Sequence, residues 1–363
     1  GETKMLPAFG WLHDKTGFVW GNKILRSGVP NERVIAANNT MRKLTVSYNT
    51  KGSFKEWKEA INILNTPGIE HLALGVLFGF GTPLYTMTQL QGVCVNFYSE
   101  NTGSGKSTAC AAAQSIYGDP VELMMDKEST NVSIFARLGT IRHLPAFMDE
   151  VSTAEGEKIS ALLYLIATGK ERDRADINGD LRDTRSWSLV FMTTSNKSMH
   201  ERLDTATPSS AGQKARLLEI LSDSNDTIDQ YGKFINQTIN SNYGHAAAVY
   251  LPFLVEASCS GELSRLLQTS VGKFEAAFDF KFEPNERFIA GAICVAWVGG
   301  LLAERCGILE GWDFKRILTK AVEIIKTNRA KIKDAVPRIE NVLGDFVAEN
   351  YRFAIQHRTF IGN

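Results

Sequence analysis

The sequence predicts an α/β fold: a parallel sheet with helices on both faces, preceded by a small β/helical region and followed by a helical one. Three observations predict it. From Gln91 to about Asn225, apolar strand-like runs alternate with helix-like stretches, the pattern of a sheet whose crossovers are helical. A glycine-containing loop, Ser99-Glu-Asn-Thr-Gly-Ser-Gly-Lys-Ser-Thr108, stands between a strand run and a helix run. Beyond Asn225 the strand signal nearly disappears. These shifts divide the chain into an N-terminal region at 1–88, a core at 89–225 and a C-terminal helical region at 226–363, with polar Ser222-Asp-Ser-Asn-Asp-Thr227 as the second join.

The elements follow in order. Phe9 to Trp20 reads as a hairpin turning at Asp14-Lys-Thr-Gly17. Ser53 is the expected N-cap of a helix over Phe54–Leu64, which Thr66-Pro-Gly68 ends. A very apolar helix is expected from Glu70 to about Met87. In the core, Val93–Tyr98, Leu144–Met148 and Trp187–Met192 read as buried strands, and Thr108–Ile116 and Lys158–Ala167 as helices. Phe288–Ala303 is too short to span a bilayer comfortably and has charges close to both ends, so it reads as a buried core helix.

The 363 residues suffice for two ordinary domains, and 44% hydrophobic with 22% charged residues is a soluble, globular composition. Forty basic residues balance forty acidic ones, so there is no global attraction to nucleic acid; any such contact must be local or inside an oligomer. The five cysteines (Cys94, Cys110, Cys259, Cys294, Cys306) show no CxxC spacing. Buried free thiols in a reducing, cytoplasmic setting are expected, and neither a secretory leader nor a membrane span is read.

The loop carries the first chemistry. Glycines between a strand and a helix let backbone N–H groups converge on phosphate oxygens, and the helix N-terminus adds the positive end of its dipole. Asn101, Thr102, Gly103, Ser104, Gly105, Lys106, Ser107 and Thr108 are therefore expected to bind ATP. Lys106 would reach the terminal phosphates and Ser107 would ligand Mg2+. The pattern asks for glycine where Glu100 stands, a departure at its first position only. About forty residues on, the apolar run Leu144–Met148 delivers Asp149 and Glu150 to a strand end. Ligands bind at the carboxyl ends of parallel strands, so Asp149 would meet the metal and Glu150 would direct the attacking water.

Further candidates follow downstream. Asn196 ends the third strand and would hold the water or the terminal phosphate; its alternative role is a strand-to-turn cap. Arg216 precedes another buried strand, and would either reach the ATP site of a neighbouring subunit or be an ordinary arginine at a strand edge. Arg287 opens the apolar helix and would either reach the phosphates from the lid side or be a solvated helix start. Asn178-Gly179 marks a hairpin whose arms carry Lys170, Arg172, Arg174, Arg182 and Arg185 among as many acids. That hairpin reads as a DNA-tracking loop or as a salt-bridged, solvated one.

With these residues in view, the chain resembles the phage and plasmid replication proteins grouped as domain of unknown function 927, AAA+ relatives of superfamily 3 helicases. The likeness rests on Gly10-Trp11, Gly52-Ser-Phe-Lys-Glu-Trp57, the phosphate loop, Ser115-Ile-Tyr-Gly-Asp-Pro120, Gly169-Lys170 with Arg172, Ala211-Gly-Gln, Asn242-Tyr-Gly-His245 and Arg287-Phe288. It implies an AAA+ core with a C-terminal lid and an ATP-driven ring, a hexamer, that translocates on DNA, single-stranded in a central pore. It also implies frequent fusion to a primase-polymerase, so the chain is expected to be a central portion of a longer protein. Two other functions fit a phosphate loop: an ATPase that loads or remodels a protein partner without unwinding DNA, and a small-molecule kinase. The kinase fits less well, because Asp149-Glu150 with a downstream polar residue suits hydrolysis.

Overall fold

The structure, a computed structural model, describes residues 3–151, 156–171, 184–206 and 211–334. Five short strands come first: β1 (Thr3–Leu6), β2 (Gly10–Trp11), β3 (Phe18–Trp20), β4 (Lys23–Leu25) and β5 (Glu32–Ala36). They form one sheet in the order β1-β5-β4-β3-β2, with β2 to β5 pairing antiparallel in succession and β1 parallel to β5. The β2–β3 hairpin turns where the sequence predicts. Asp14 accepts the Thr16 N–H at 3.0 Å, and the Leu12 N–H closes the loop on the Gly17 carbonyl at 2.9 Å.

Three helices follow, α1 (Asn39–Thr45), α2 (Phe54–Ile63) and α3 (Glu70–Tyr85). Ser53 caps α2 as expected, accepting the Glu56 N–H. Helix α3 is buried from His71 to Tyr85 and contains Pro83, which cannot donate to the carbonyl of Gly79. The Tyr117 hydroxyl takes that carbonyl at 2.9 Å, and the buried Trp11 indole N–H donates to the Pro83 carbonyl at 2.7 Å.

The central region runs β6 (Gly92–Tyr98), α4 (Lys106–Ser115), α5 (Asn131–Ile141), β7 (Ala146–Met148), α6 (Gly156–Thr168), β8 (Leu189–Ser195), α7 (Met199–Ala206), α8 (Ala211–Lys214) and β9 (Leu217–Leu221). Its four strands form an all-parallel sheet, ordered β7-β8-β6-β9 and flanked by helices, as predicted. The register is tight. Gly92 pairs with Leu189 at one end of β6, and Tyr98 pairs with Ser195 and Leu221 at the other. Met148 lies opposite Thr193, so the carboxyl ends of all four strands meet along one edge.

Helices α9 (Asp226–Ser241), α10 (His245–Cys259), α11 (Glu262–Ala277), α12 (Arg287–Arg305) and α13 (Phe314–Asp334) complete the described chain. By length and composition α12 could cross a membrane, but 83% of its apolar window is buried inside the protein, and it is the predicted core helix. It crosses α3 at backbone distance. A Cβ added to Gly81 would lie 2.6 Å from the Ala296 nitrogen, and one on Gly299 would lie 2.7 Å from the Gly81 nitrogen. The cysteines are free. Cys94, Cys110 and Cys294 are buried and Cys306 partly so, but Cys259 is exposed, correcting the expectation of buried thiols at the last turn of α10.

Candidate functional site

Because the strands end in register, the segments after β6, β7, β8 and β9 share the carboxyl edge of the sheet. The loop after β6 turns through Gly103 (φ 77°) and Gly105 (φ 83°), and Gly105 caps α4 in the left-handed region that glycine adopts without a steric cost. Glu100, where the pattern asks for glycine, has no positive φ, so a side chain is accommodated there. Lys106 leads α4, and its ammonium donates to the carbonyls of Ser99 (2.7 Å) and Asn101 (3.1 Å) and to Oδ1 of Asn196 (3.3 Å). Burial lowers the Lys106 pKa, and the nearby charges of Asp149 and Glu150 oppose that shift.

The acid pair meets this loop. The Ser107 hydroxyl donates to Oδ1 of Asp149 at 3.0 Å. Glu150 sits at φ 52°, a conformation uncommon for a residue with a side chain. Its N–H donates to Oγ1 of Thr194 at 2.8 Å and to Oδ1 of Asp149 at 3.1 Å. The half-exposed Glu150 carboxylate pairs with Lys127 at 3.3 Å. Lys106, Ser107, Asp149, Glu150 and Asn196 are thus brought together by three different strands.

The rest of the loop faces α9. A cavity of about 390 Å³ is lined by Gly103 to Thr108 together with Ile228, Asp229, Gly232, Lys233 and Asn236. Asn236 donates to the Thr108 hydroxyl at 2.8 Å, and Ser222 donates to the Ser104 carbonyl at 2.6 Å, so both flanks of the loop are tied down. The hydroxyl of Ser104 is buried and has no hydrogen-bond partner among the described residues. Asn101, Thr102 and Gly103 at the loop tip are exposed. These features fit a polyphosphate: an ordered loop, the cations Lys106 and Lys233, open backbone around Gly103 and an unclaimed hydroxyl. A hydroxyl and a carboxylate 3.0 Å apart also fit Mg2+, which commonly takes few protein ligands and keeps water and phosphate oxygens for the rest. Among the described residues no group of three or more His, Cys, Asp or Glu side chains could hold a metal.

Two predicted arginines are not brought to this edge within one chain. Arg216 immediately precedes β9, and its carbonyl accepts the Cys94 N–H near the start of β6, so it lies at the amino edge of the sheet. It donates to the Gly212 carbonyl at 2.8 Å and stacks on Phe288 at 5.2 Å. Arg287 stacks on the same ring at 5.0 Å and lines a cleft with Thr88 and Leu90. The expectation that Arg287 reaches the phosphates of its own loop is corrected by this position: β6, about 20 Å long, separates the two ends. Arg172, Arg174, Arg182 and the Asn178-Gly179 turn lie outside the described residues. What is described is the base of that segment, where Lys170 pairs antiparallel with Ser186 and the Glu171 N–H donates to the Arg185 carbonyl at 2.9 Å.

Sequence reasoning missed Thr194, whose hydroxyl also bonds Asp149 and so ties both acids to β8. It missed Lys127, which precedes α5 and has no motif to mark it. It also missed Glu219 of β9, buried in the sheet, which accepts from Asn96 at 2.9 Å, from the Met199 N–H at 2.6 Å and from the Ser198 hydroxyl. An acid at the centre of an otherwise apolar strand, Leu217-Leu-Glu-Ile-Leu221, was its available signal.

The family described as domain of unknown function (DUF927) matches residues 2–186, just over half of the chain. The chain belongs to that family. The match takes in the N-terminal sheet, the phosphate loop, the acid pair and the Lys170 segment of this DUF927 chain. Comparison with curated proteins finds no match. Among solved structures, "SCCmec type IV Cch - active helicase" is similar with a TM-score of 0.73 and 21% identity, over 96% of this chain and 64% of that one. That likeness shows a shared fold, and the DUF927 chain spans somewhat less than two thirds of that protein. Two other similarities are shallow: JCV helicase bound to a small molecule (TM-score 0.33, 12% identity, 74% and 70% covered) and the NrS-1 C-terminal region (TM-score 0.31, 12% identity, 86% and 79% covered).

Proposed function

We propose that this chain is the ATP-hydrolysing motor of a phage or plasmid replication helicase that works as a ring on DNA. The observation that carries the reading is the convergence of Lys106, Ser107, Asp149, Glu150 and Asn196 at one sheet edge, with Ser107 and Asp149 already within hydrogen-bond distance. In this reading Lys106 leaves its carbonyl partners for the terminal phosphates of ATP. Ser107 and Asp149 hold Mg2+, which supplies charge neutralisation on the phosphates when bound. Glu150 orients the attacking water and accepts its proton, while the Asn196 amide positions the terminal phosphate. Asn101 to Thr108 cradle the phosphates through their backbone, and α9 covers the remainder of the nucleotide.

Arg216 is assigned to a neighbouring subunit's site, because its own loop lies at the far end of β9. A closed ring, a hexamer in this proposal, would bring the two edges together. Lys170, Arg172, Arg174 and Arg182 would contact DNA phosphates, which fixes position rather than sequence. Residues 1–88, 89–225 and 226–363 then divide the labour as an N-terminal platform, an AAA+ motor and a helical lid. A primase-polymerase fused to or associated with the motor, and a cytoplasmic location, belong to the same proposal.

The test is steady-state ATP hydrolysis with and without single-stranded DNA, with Lys106→Ala as the blank. Hydrolysis that DNA stimulates and Lys106→Ala abolishes supports the motor. Hydrolysis indifferent to DNA in a protein that still forms rings would favour a remodeller of protein partners.

A further inference from the structure

Away from the phosphate loop, two cations sit together without a counterion among the described residues. Lys15 is at the tip of the β2–β3 hairpin with φ 58°, its ammonium 5.9 Å from the centre of the Trp11 ring. Arg142 ends α5 at φ 51° and ψ −67°, the middle of a tight turn in which the His143 N–H donates to the Ile141 carbonyl at 2.7 Å. Buried hydrogen bonds press these two elements together. The Trp11 N–H donates to Nδ1 of His143 at 3.0 Å, and the Phe9 N–H donates to the Thr140 carbonyl at 2.8 Å. The cations are therefore held near one another by the fold and not by attraction between them.

Lys15 and Arg142 are both half-buried, and neither side chain makes an ion pair or a hydrogen bond with any described residue. Asp14, next in sequence, accepts from Thr16 and is drawn towards Arg26. Burial and then Arg142 push the Lys15 pKa down to about 8. Burial, then Arg142 and Lys15, hold His143 well below the usual histidine range, so its ring is neutral and relieves nothing. Two like charges in a partly dehydrated setting are unfavourable until an anion joins them.

The position says which anion. The Arg142 carbonyl accepts the Ser188 N–H at 3.0 Å, two residues beyond the Lys170–Ser186 bridge. Arg185 packs on the same helix end, where a Cβ on Gly139 would meet its side chain at 2.5 Å. The pair therefore stands beside the base of the segment to which DNA contact is assigned above. A guanidinium fork and an ammonium, open to solvent on one side, suit an oxygen-rich anion carried on a chain. We propose that Lys15 and Arg142 form a clamp for a backbone phosphate of nucleic acid, carrying the strand from the Lys170 segment onto the N-terminal hairpin. The strand's route rests on the DNA reading above; the clamp itself does not depend on ATP hydrolysis.

The experiment is fluorescence anisotropy of a labelled single-stranded oligonucleotide against the whole chain across a salt series. It compares the parent, Lys15→Gln/Arg142→Gln, the charge-conserving Lys15→Arg, and Lys170→Ala. The double variant should bind about tenfold more weakly at low salt. Its slope of log affinity against log salt should be shallower by up to about 1.4, two contacts' worth on a single strand. Lys15→Arg should bind like the parent, and basal ATP hydrolysis and the melting temperature of the double variant should not fall. Parent-like affinity and slope in the double variant, with Lys170→Ala impaired, overturns the clamp and leaves the DNA reading standing. A parent that does not bind the oligonucleotide at all overturns both. As a control on the ligand, the Lys15 resonance of the reductively methylated protein is followed by NMR. A response to inorganic phosphate equal to that at the same concentration of oligonucleotide phosphate would assign the site to free phosphate and overturn the strand reading.

Discussion

The two edges of the parallel sheet hold their charges differently. At the carboxyl edge the charges of the candidate site have local partners: Lys106 meets Asn196 and two carbonyls, Asp149 accepts from Ser107 and Thr194, and Glu150 meets Lys127. At the amino edge Arg185 and Lys214 pair with Glu171 and Asp204, but four other cations meet no acid among the described residues. Arg216 and Arg287 share the Phe288 ring, and Lys15 and Arg142 have no acid among the described residues. Charges arranged within one chain preorganise a site for a small ligand. In the proposed reading, cations left without acids serve ligands that arrive from outside the chain, either a neighbour's phosphates or a nucleic-acid backbone.

The largest effect that would break this contrast is at Arg216. Arg216→Ala should lower ATP turnover on the order of 10³-fold with nucleotide binding retained, the loss expected for an arginine acting in trans. Mixing it with Lys106→Ala should restore part of the activity, because mixed rings contain sites with both residues intact. Two inactive variants that stay inactive when mixed would place Arg216 in a structural role. Next, Glu150→Gln should cost about 10²-fold or more in kcat while ATP still binds. Turnover at the parent rate would remove Glu150 from the mechanism. A smaller loss, about tenfold in kcat with KM little changed, is expected for Thr194→Val, because Asp149 and the Glu150 N–H would lose the hydroxyl that aligns them. Unchanged kinetics would show that β8 does not position the acids.

The smallest effect is on stability. Lys15 has a folded pKa of about 8, below its unfolded value, so between about pH 8 and 10.5 the unfolded chain binds more protons. Stability attributable to Lys15 therefore rises as pH climbs through that window, and its cost is fully present below pH 8. Melting curves of the parent and Lys15→Gln should converge as the pH rises from 8 to 10. Curves that stay parallel would mean that Lys15 is not strained by its surroundings.

Which parts of this were legible in the sequence follows from how local the signals are. The phosphate loop, the acid pair and the four parallel strands are written in contiguous residues, with glycines, a strand and a helix adjacent to one another, so their positions could be read directly. Asn196 lies beside Lys106, at the end of a strand that the sequence makes visible, although the role expected of it is still a proposal. Thr194 and Lys127 were not legible, because their roles depend on strand register and on a loop approaching from another element. Arg287 was misplaced for the same reason: opening an apolar helix says nothing about which end of the sheet that helix begins at. The Lys15–Arg142 pair, 127 positions apart in numbering (142 minus 15), had no sequence signal at all.

The glycine crossing of α3 and α12 bears on how this protein can be dissected. Residues 81 and 299 touch through bare backbone, so neither helix can be supplied by an unrelated scaffold with ordinary side chains at those positions. A fragment trimmed to begin at residue 89 would strip the α12 groove of its only glycine-lined partner among the described helices and leave α4 without a neighbour it packs on. Truncations meant to isolate the proposed motor should therefore keep α3 and α12 together, and a shorter fragment that aggregates would say nothing about whether the proposal holds.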